Sequence, residues 1–206
     1  MLFNSIEYLF FLPIVFGLYW LLAGNRKGQN LLLLLASYSF YAYWDYRFLS
    51  LIILSSGLDF YIGKSIHKTV EINKRKQLLT LSVVANIGVL AIFKYFDFFI
   101  GSANDLFHSL GVGFELGLLE FIFPVGISFY TFQTLSYSID VYKRKLEPTR
   151  DFIAFAAHLS FFPQLVAGPI ERATNLLPQF YTKRVFNHNA AVDGLRQILW
   201  GLFKKI

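Results

Sequence analysis

Ionisable side chains inside apolar runs are the first to weigh, because a charge at membrane depth is costly and marks a functional site by default. Asp59 falls within the run Phe48–Ile62, just ahead of a basic stretch, where it can pair with Lys64 or with another helix. Lys94 and Asp97 are three residues apart in one apolar block, so they share a helix face and suit a local ion pair. Lys94 also lies near enough to the end of its block to snorkel towards headgroups. Asp140 precedes Lys143-Arg144, and an interfacial salt bridge accounts for it. Glu120 opens its block and can be solvated. Histidine titrates near neutral pH and is the usual general base. Of the four histidines, His67, His108 and His188 lie in polar, basic or loop stretches, and His158 alone sits in an apolar run, Phe155-Ala-Ala-His-Leu159. No carboxylate accompanies His158 in sequence, so a satisfied helix contact competes with a catalytic role there.

Other chemistry is missing. There is no Walker loop, Gly111-Val112-Gly113 lacks the third glycine of a dinucleotide turn, and neither an HExxH pair nor a G-x-S-x-G elbow occurs. The chain has no cysteine, so no disulfide, thiol nucleophile or cysteine metal site can be read, and no other metal site is expected.

The elements that must carry these residues are membrane helices. The chain has 206 residues, 55% hydrophobic, 19% aromatic and only 16% charged, against roughly 25% charged in an average soluble domain. Its mean hydropathy is +0.49. The net charge of +6 does not argue for a nucleic-acid partner, because the cations fall in gaps between apolar blocks rather than on one face of a soluble fold. A membrane helix needs about 20 apolar residues. The pattern predicts five spans, Ile6–Ala23, Leu31–Trp44, Phe48–Ile62, Leu78–Ile100 and Phe121–Tyr142, followed by two interrupted or short segments, Phe152–Val166 and Ala190–Phe203. The first is not a signal peptide by pattern, lacking a basic leader and a small-residue cleavage site. The rings at Tyr38, Phe40, Tyr41, Tyr43, Trp44 and Tyr46 suit a headgroup belt.

Cations mark the cytoplasmic side. Arg26-Lys27, the stretch Gly63–Gln77 and Lys143–Arg150 carry them, whereas Gly101–Glu120 carries Asp105, Glu115 and Glu120 and no cation. One alternating topology satisfies all four, with the N-terminus outside. Pro163 and Gly168-Pro169 oppose a continuous last helix, so Phe152–Val166 is expected to be a half-membrane or re-entrant segment. Tyr181–Asn189 reads as an interfacial connection. No internal repeat or linker divides the chain, which gives one all-α membrane domain over 1–206.

Ser128, Thr131, Gln133, Ser136 and Ser138 place hydrogen-bonding groups on several faces of the fifth span, suited to other helices or a wet cavity. The string Pro124-Val-Gly-Ile-Ser-Phe-Tyr-Thr-Phe-Gln133, continuing to Ser138-Ile-Asp-Val-Tyr142, resembles the membrane-bound O-acyltransferase family. Phe161-Phe-Pro-Gln-Leu-Val-Ala-Gly-Pro-Ile-Glu-Arg172 resembles it too, and together with Leu2–Ser5 and Gly194–Lys205 the likeness is to the bacterial alginate O-acetylation branch. The resemblance implies a polytopic inner-membrane enzyme whose helices ring a thinned-membrane funnel. It would move an acetyl or similar acyl group from a cytoplasmic thioester donor, with no bound cofactor, to hydroxyls of an extracytoplasmic polysaccharide such as alginate. Further cell-envelope acetylation proteins are possible partners, and nucleic acid is not one. The family's histidine base belongs to the second half of a chain about twice as long, so it is expected beyond Ile206 and this chain reads as the N-terminal part. No catalytic residue is assigned within 1–206; His158 stays as the one candidate. The alternatives from the residues alone are a small transporter, suggested by broken segments with Asp59 and Asp140, and a non-catalytic remnant.

Overall fold

A computed structural model describes residues 3–111, 117, 124–165 and 169–205. Among these residues it is helical and contains no strand, as expected of an all-α chain. Helix starts follow local chemistry. Ser5 Oγ accepts the Tyr8 amide at 3.2 Å and opens α1, Ile6–Leu21. Asn25 Oδ1 accepts the Gly28 amide at 3.0 Å and opens α2, Arg26–Asp45. Both satisfy amides that a helix start leaves without partners. At Asp45 the backbone is extended (φ −158°, ψ 112°) and its carboxylate caps a 3-10 turn, Tyr46–Phe48, before α3 runs over Leu49–Lys68.

The next helix departs from expectation. The cationic stretch Gly63–Gln77 is not a loop: α3 continues to Lys68 and α4 begins at Ile72, leaving Thr69–Glu71 as the connection. Lysine, arginine and glutamine are good helix formers, so polarity alone does not end a helix. The other end is extended likewise, with α4 running to Ser109 over 38 residues, about 57 Å at 1.5 Å per residue. That is nearly twice a bilayer's ~30 Å hydrocarbon thickness. Glu115 and Glu120 lie outside the described residues, as do Phe121–Phe123 at the start of the expected fifth span.

Described structure resumes at Pro124, and α5 covers Ile127–Tyr142. Then come α6 (Phe152–Leu159), α7 (Phe162–Leu165), α8 (Ala173–Leu176) with a 3-10 turn at Leu177–Phe180, and α9 (His188–Lys205). The apolar run from Phe152 is broken, as its prolines indicate: α6 stops at Leu159, and Pro163 falls in the first turn of α7, where a missing amide does no harm. Val166–Gly168 lie outside the described residues. Two helical stretches, Arg26–Lys68 and Ile72–Ser109, are long and apolar enough to cross a membrane; α1 and Phe152–Leu165 are apolar but shorter.

Helix α5 is the centre of packing, with α3, α4, α6 and α8 against it. Phe60, Ile66, Tyr137, Val141, Phe155 and Leu177 form one cluster, in which the Tyr137 and Phe155 rings lie 4.5 Å apart. A second nest joins Phe3, Tyr8 and Phe11 to Phe40 and Phe162. Phe40 and Tyr41 are therefore core residues, not members of a headgroup belt, while Tyr43, Trp44 and Tyr46 are exposed. At about 100° per residue, a helix carries Tyr43 round to a different face from Tyr41.

Gly63 lets α3 and α5 meet. A methyl group there would lie 2.7–2.9 Å from the ring and hydroxyl of Tyr137, a side chain with no exposed surface. Gly63→Ala is expected to cost about 1–3 kcal/mol, the usual penalty for overpacking. Thermal unfolding in detergent measures it, and Tyr137→Phe in the same chain should recover part of the loss. An unchanged melting temperature for Gly63→Ala would show that the two helices do not touch there.

Candidate functional site

Polar residues converge on Asp59. Helical spacing puts Ser82 and Asn86 four apart on one face of α4 and Thr134 and Ser138 four apart on one face of α5, and both faces turn towards α3. Ser82 donates its hydroxyl to Asp59 Oδ1, Ser138 donates to the same oxygen at 2.8 Å, and Asn86 Nδ2 donates to Oδ2 at 2.6 Å. The Thr134 hydroxyl lies 3.2 Å from Asn86 Oδ1 and 2.8 Å from the Thr131 carbonyl. All these side chains are buried, and Asp59, Ser82, Thr134 and Ser138 have no exposed surface. No cation completes the group: Lys64, one of the two partners expected for Asp59, lies instead 3.8 Å over the Phe60 ring. The other expectation, pairing with another helix, is what the geometry has, through hydroxyls and an amide rather than a charge. Neutral donors hold a buried carboxylate with charge-assisted hydrogen bonds. Because both oxygens are already engaged and sealed from solvent, this carboxylate ties three helices together and is not placed to take a proton from a substrate.

His158 lies on α6, outside the Asp59 group. Its ring has no exposed surface, and neither Nδ1 nor Nε2 has a hydrogen-bond partner. The Phe180 ring stands edge-on at 6.2 Å, and the backbone carbonyl of His158 accepts Gln133 Nε2 at 3.3 Å. The expected satisfied helix contact is thus made by its backbone and not by its imidazole. Tyr41 and Tyr130 share a cluster with Ile52, Ile127 and Leu165, and their hydroxyls are also buried without partners.

The remaining candidates scatter. Asp140 is buried, and its Oδ2 has no partner; the expected salt bridge to Lys143-Arg144 is absent, because Arg144 turns into a left-handed conformation (φ 57°) and the chain folds back so that the Lys145 amide meets the Asp140 carbonyl at 2.9 Å. Lys94 sits 5.5 Å over the Tyr95 ring. His67, His108 and His188 are exposed and far apart in the element order. Of the fifth-span polar residues, Thr131, Gln133 and Ser138 are buried against other helices, whereas Ser128 and Ser136 are only partly so. Among the described residues no group of three histidines, cysteines or carboxylates could hold a metal. Ser82, Asn86 and Thr134 were not singled out by sequence. Their signal was a pair of hydrogen-bonding residues four apart in an otherwise apolar block.

Comparison with known proteins gives this geometry its context. The whole chain aligns over 208 positions, at 38% identity, with "Probable alginate O-acetylase AlgI" of Azotobacter vinelandii, and at 39% with the protein of that name in Pseudomonas aeruginosa. It aligns over 236 positions, at 34% identity, with "Peptidoglycan O-acetyltransferase" of Helicobacter pylori. The chain is similar to bacterial O-acetylases from end to end. It spans 41%, 39% and 44% of those three relatives, about two fifths of their length. No protein-family model and no solved structure matches it. The likeness read from Pro124–Tyr142 and Phe161–Arg172 thus extends over every element described above. The first motif supplies α5, with its Gly126 N-cap; of the second, Phe162–Leu165 form α7 and Pro169–Arg172 lead into α8.

Proposed function

We propose that this chain is a membrane-embedded part of an O-acetyltransferase that moves an acetyl group from a thioester donor on the cytoplasmic side to hydroxyls of a cell-envelope polysaccharide. The observation that carries the reading is 34–39% identity over the whole chain with proteins named as alginate and peptidoglycan O-acetylases. Embedding is supported by an inverted helix. The fully buried residues of α4 are the polar Ser82 and Asn86, while Leu81, Val84, Ile87, Ile92, Phe98 and Phe99 face outwards. Exposed apolar surface of that extent needs a lipid or protein cover. The reading takes α1 to α5 as five crossings of a bacterial inner membrane with the N-terminus outside, following the cation distribution, and the chain as the N-terminal part of a longer fold. An acyl donor and a polysaccharide acceptor are the partners it requires.

In such a reaction a base removes the hydroxyl proton as the oxygen attacks the thioester carbonyl. We assign that proton transfer to no residue of this chain. What supports the omission is the setting of His158, which is sealed among side chains. The role left to α3–α6 is a rigid wall, pinned at Asp59, against which a reaction site is built.

The test is deletion of the gene in its host and restoration with its complete reading frame, reading base-labile acetate on the purified envelope polysaccharides. Loss and recovery of ester acetate are expected; unchanged acetate after deletion overturns the proposal. His158→Ala in the restoring copy should retain most of the transfer. A variant that reaches wild-type abundance but gives no acetate would make His158 the base.

A further inference from the structure

A cavity of about 330 Å³ lies between the α1–α2 turn and the segment after Phe180, lined by Asn25, Gln29 and four cations, Arg26, Lys27, Lys183 and Arg184. No carboxylate lines it. The two arginines are held by neutral groups. Arg184 donates to Asn30 Oδ1 at 2.8 Å and reaches Gln29 Oε1 at 3.5 Å, with its guanidinium 5.5 Å from the Tyr19 ring and 5.6 Å from the Phe180 ring. Gln29 and Asn30 are themselves buried and fixed, donating to the Tyr19 carbonyl and the Phe180 carbonyl, each at 3.0 Å. Arg26 donates to the Tyr181 carbonyl at 2.6 Å.

Three features leave this group short of negative charge. Burial pushes Arg184 below its ordinary value against an opposing effect of Tyr19, and the nearness of Arg26 adds a smaller push in the same downward direction. Arg26 and Lys27 occupy the first turn of a 20-residue helix that has no acidic residue there, although the positive end of a helix favours anions. The salt bridges among the described residues, Arg47–Asp45 and Lys74–Glu71, lie elsewhere. A guanidinium fork with free N–H groups, set beside a second guanidinium, is suited to a phosphate.

An apolar groove of about 270 Å³ begins beside this cavity, lined among others by Leu12, Phe16, Trp20, Leu33 and Phe162. Tyr19 joins the two: its ring lines the groove, and Arg184 lies over that ring. We propose that cavity and groove together bind one anionic phospholipid, with its phosphate between Arg26 and Arg184 and an acyl chain lying along α1. The groove selects a lipid over a soluble phosphate, and the cations select an anionic headgroup over a zwitterionic one. The site is separate from acetyl transfer and does not depend on it.

Native mass spectrometry of the native protein in detergent tests this, with phosphatidylglycerol, phosphatidylcholine and inorganic pyrophosphate titrated separately. Phosphatidylglycerol should be retained in preference to phosphatidylcholine. The exposed pair Lys27→Glu with Lys183→Glu, which touches no internal hydrogen bond given above, should weaken that retention by at least about tenfold, since each cation near a lipid surface contributes roughly fivefold and two are reversed. Arg184→Gln should do the same, with the melting temperature in lipid-free detergent recorded beside it. Equal retention of phosphatidylglycerol by wild type and the Lys27→Glu, Lys183→Glu variant overturns the proposal. Pyrophosphate bound by wild type and lost in that variant, with no lipid preference, also overturns it and assigns the cavity to a soluble phosphate.

Discussion

Asp59→Ala is expected to destabilise the chain by about 3–5 kcal/mol, the range for breaking a buried charged hydrogen-bond group from one side. The loss comes mainly from what remains: Ser82 and Ser138 would lose the acceptor of their hydroxyls in a buried site, and Asn86 Nδ2 would keep only its bond to the Ser82 carbonyl. Asp59→Asn should be far milder. Its carbonyl oxygen can take the Asn86 amide, and the two serine hydroxyls can turn to accept from its NH2 group. Thermal unfolding in detergent orders the variants, and acetate transfer by the complete protein separates the roles. Should Asp59→Asn keep wild-type stability and abolish transfer, the carboxylate is part of the chemistry and the three-helix tie is the wrong account. Adding Ser82→Ala and Ser138→Ala to Asp59→Ala should return part of the stability, because removing the orphaned donors removes their penalty.

The second large effect is at Gly126, which caps α5 with φ +79°. A Cβ there would stand 2.5 Å from the Leu165 carbonyl oxygen, a backbone atom that cannot swing aside. Gly126→Ala combines left-handed strain of about 1–2 kcal/mol with an overpacking term of about 1–3 kcal/mol. Gly24→Ala is the matched control: its φ is +90°, but nothing lies within 4 Å of the added methyl, so only the strain applies. Equal loss from the two substitutions would show that α5 and α7 are not in contact at Leu165.

Legibility followed the range of the interaction. The starts of α1 at Ile6 and α6 at Phe152 and the break before Pro163 were legible, because an apolar run and a proline act locally, whereas α2 begins at Arg26, ahead of the expected Leu31. Both ends of α4 were misplaced because charge was taken as a sign of loop, whereas helix propensity is indifferent to which side of a headgroup a lysine stands on. Asp59 was marked by its cost in an apolar run, yet its partners lie 23, 27 and 79 residues away, and no periodicity names a partner at that distance. The cavity around Arg184 was hidden for the same reason, since Gln29 and Asn30 meet it only after some 155 residues of chain have folded.

The inverted burial of α4 has a consequence for biogenesis. A helix whose outward side chains suit lipid, and which hides only Ser82 and Asn86, can enter a bilayer as an independent segment before its neighbours arrive. In contrast, α3 on its own carries an unshielded Asp59. On the proposed embedding, Asp59 stays without its hydrogen-bond partners until α4 supplies the first two donors and α5 the third, so the cost of its charge at membrane depth is relieved only when all three helices have come together.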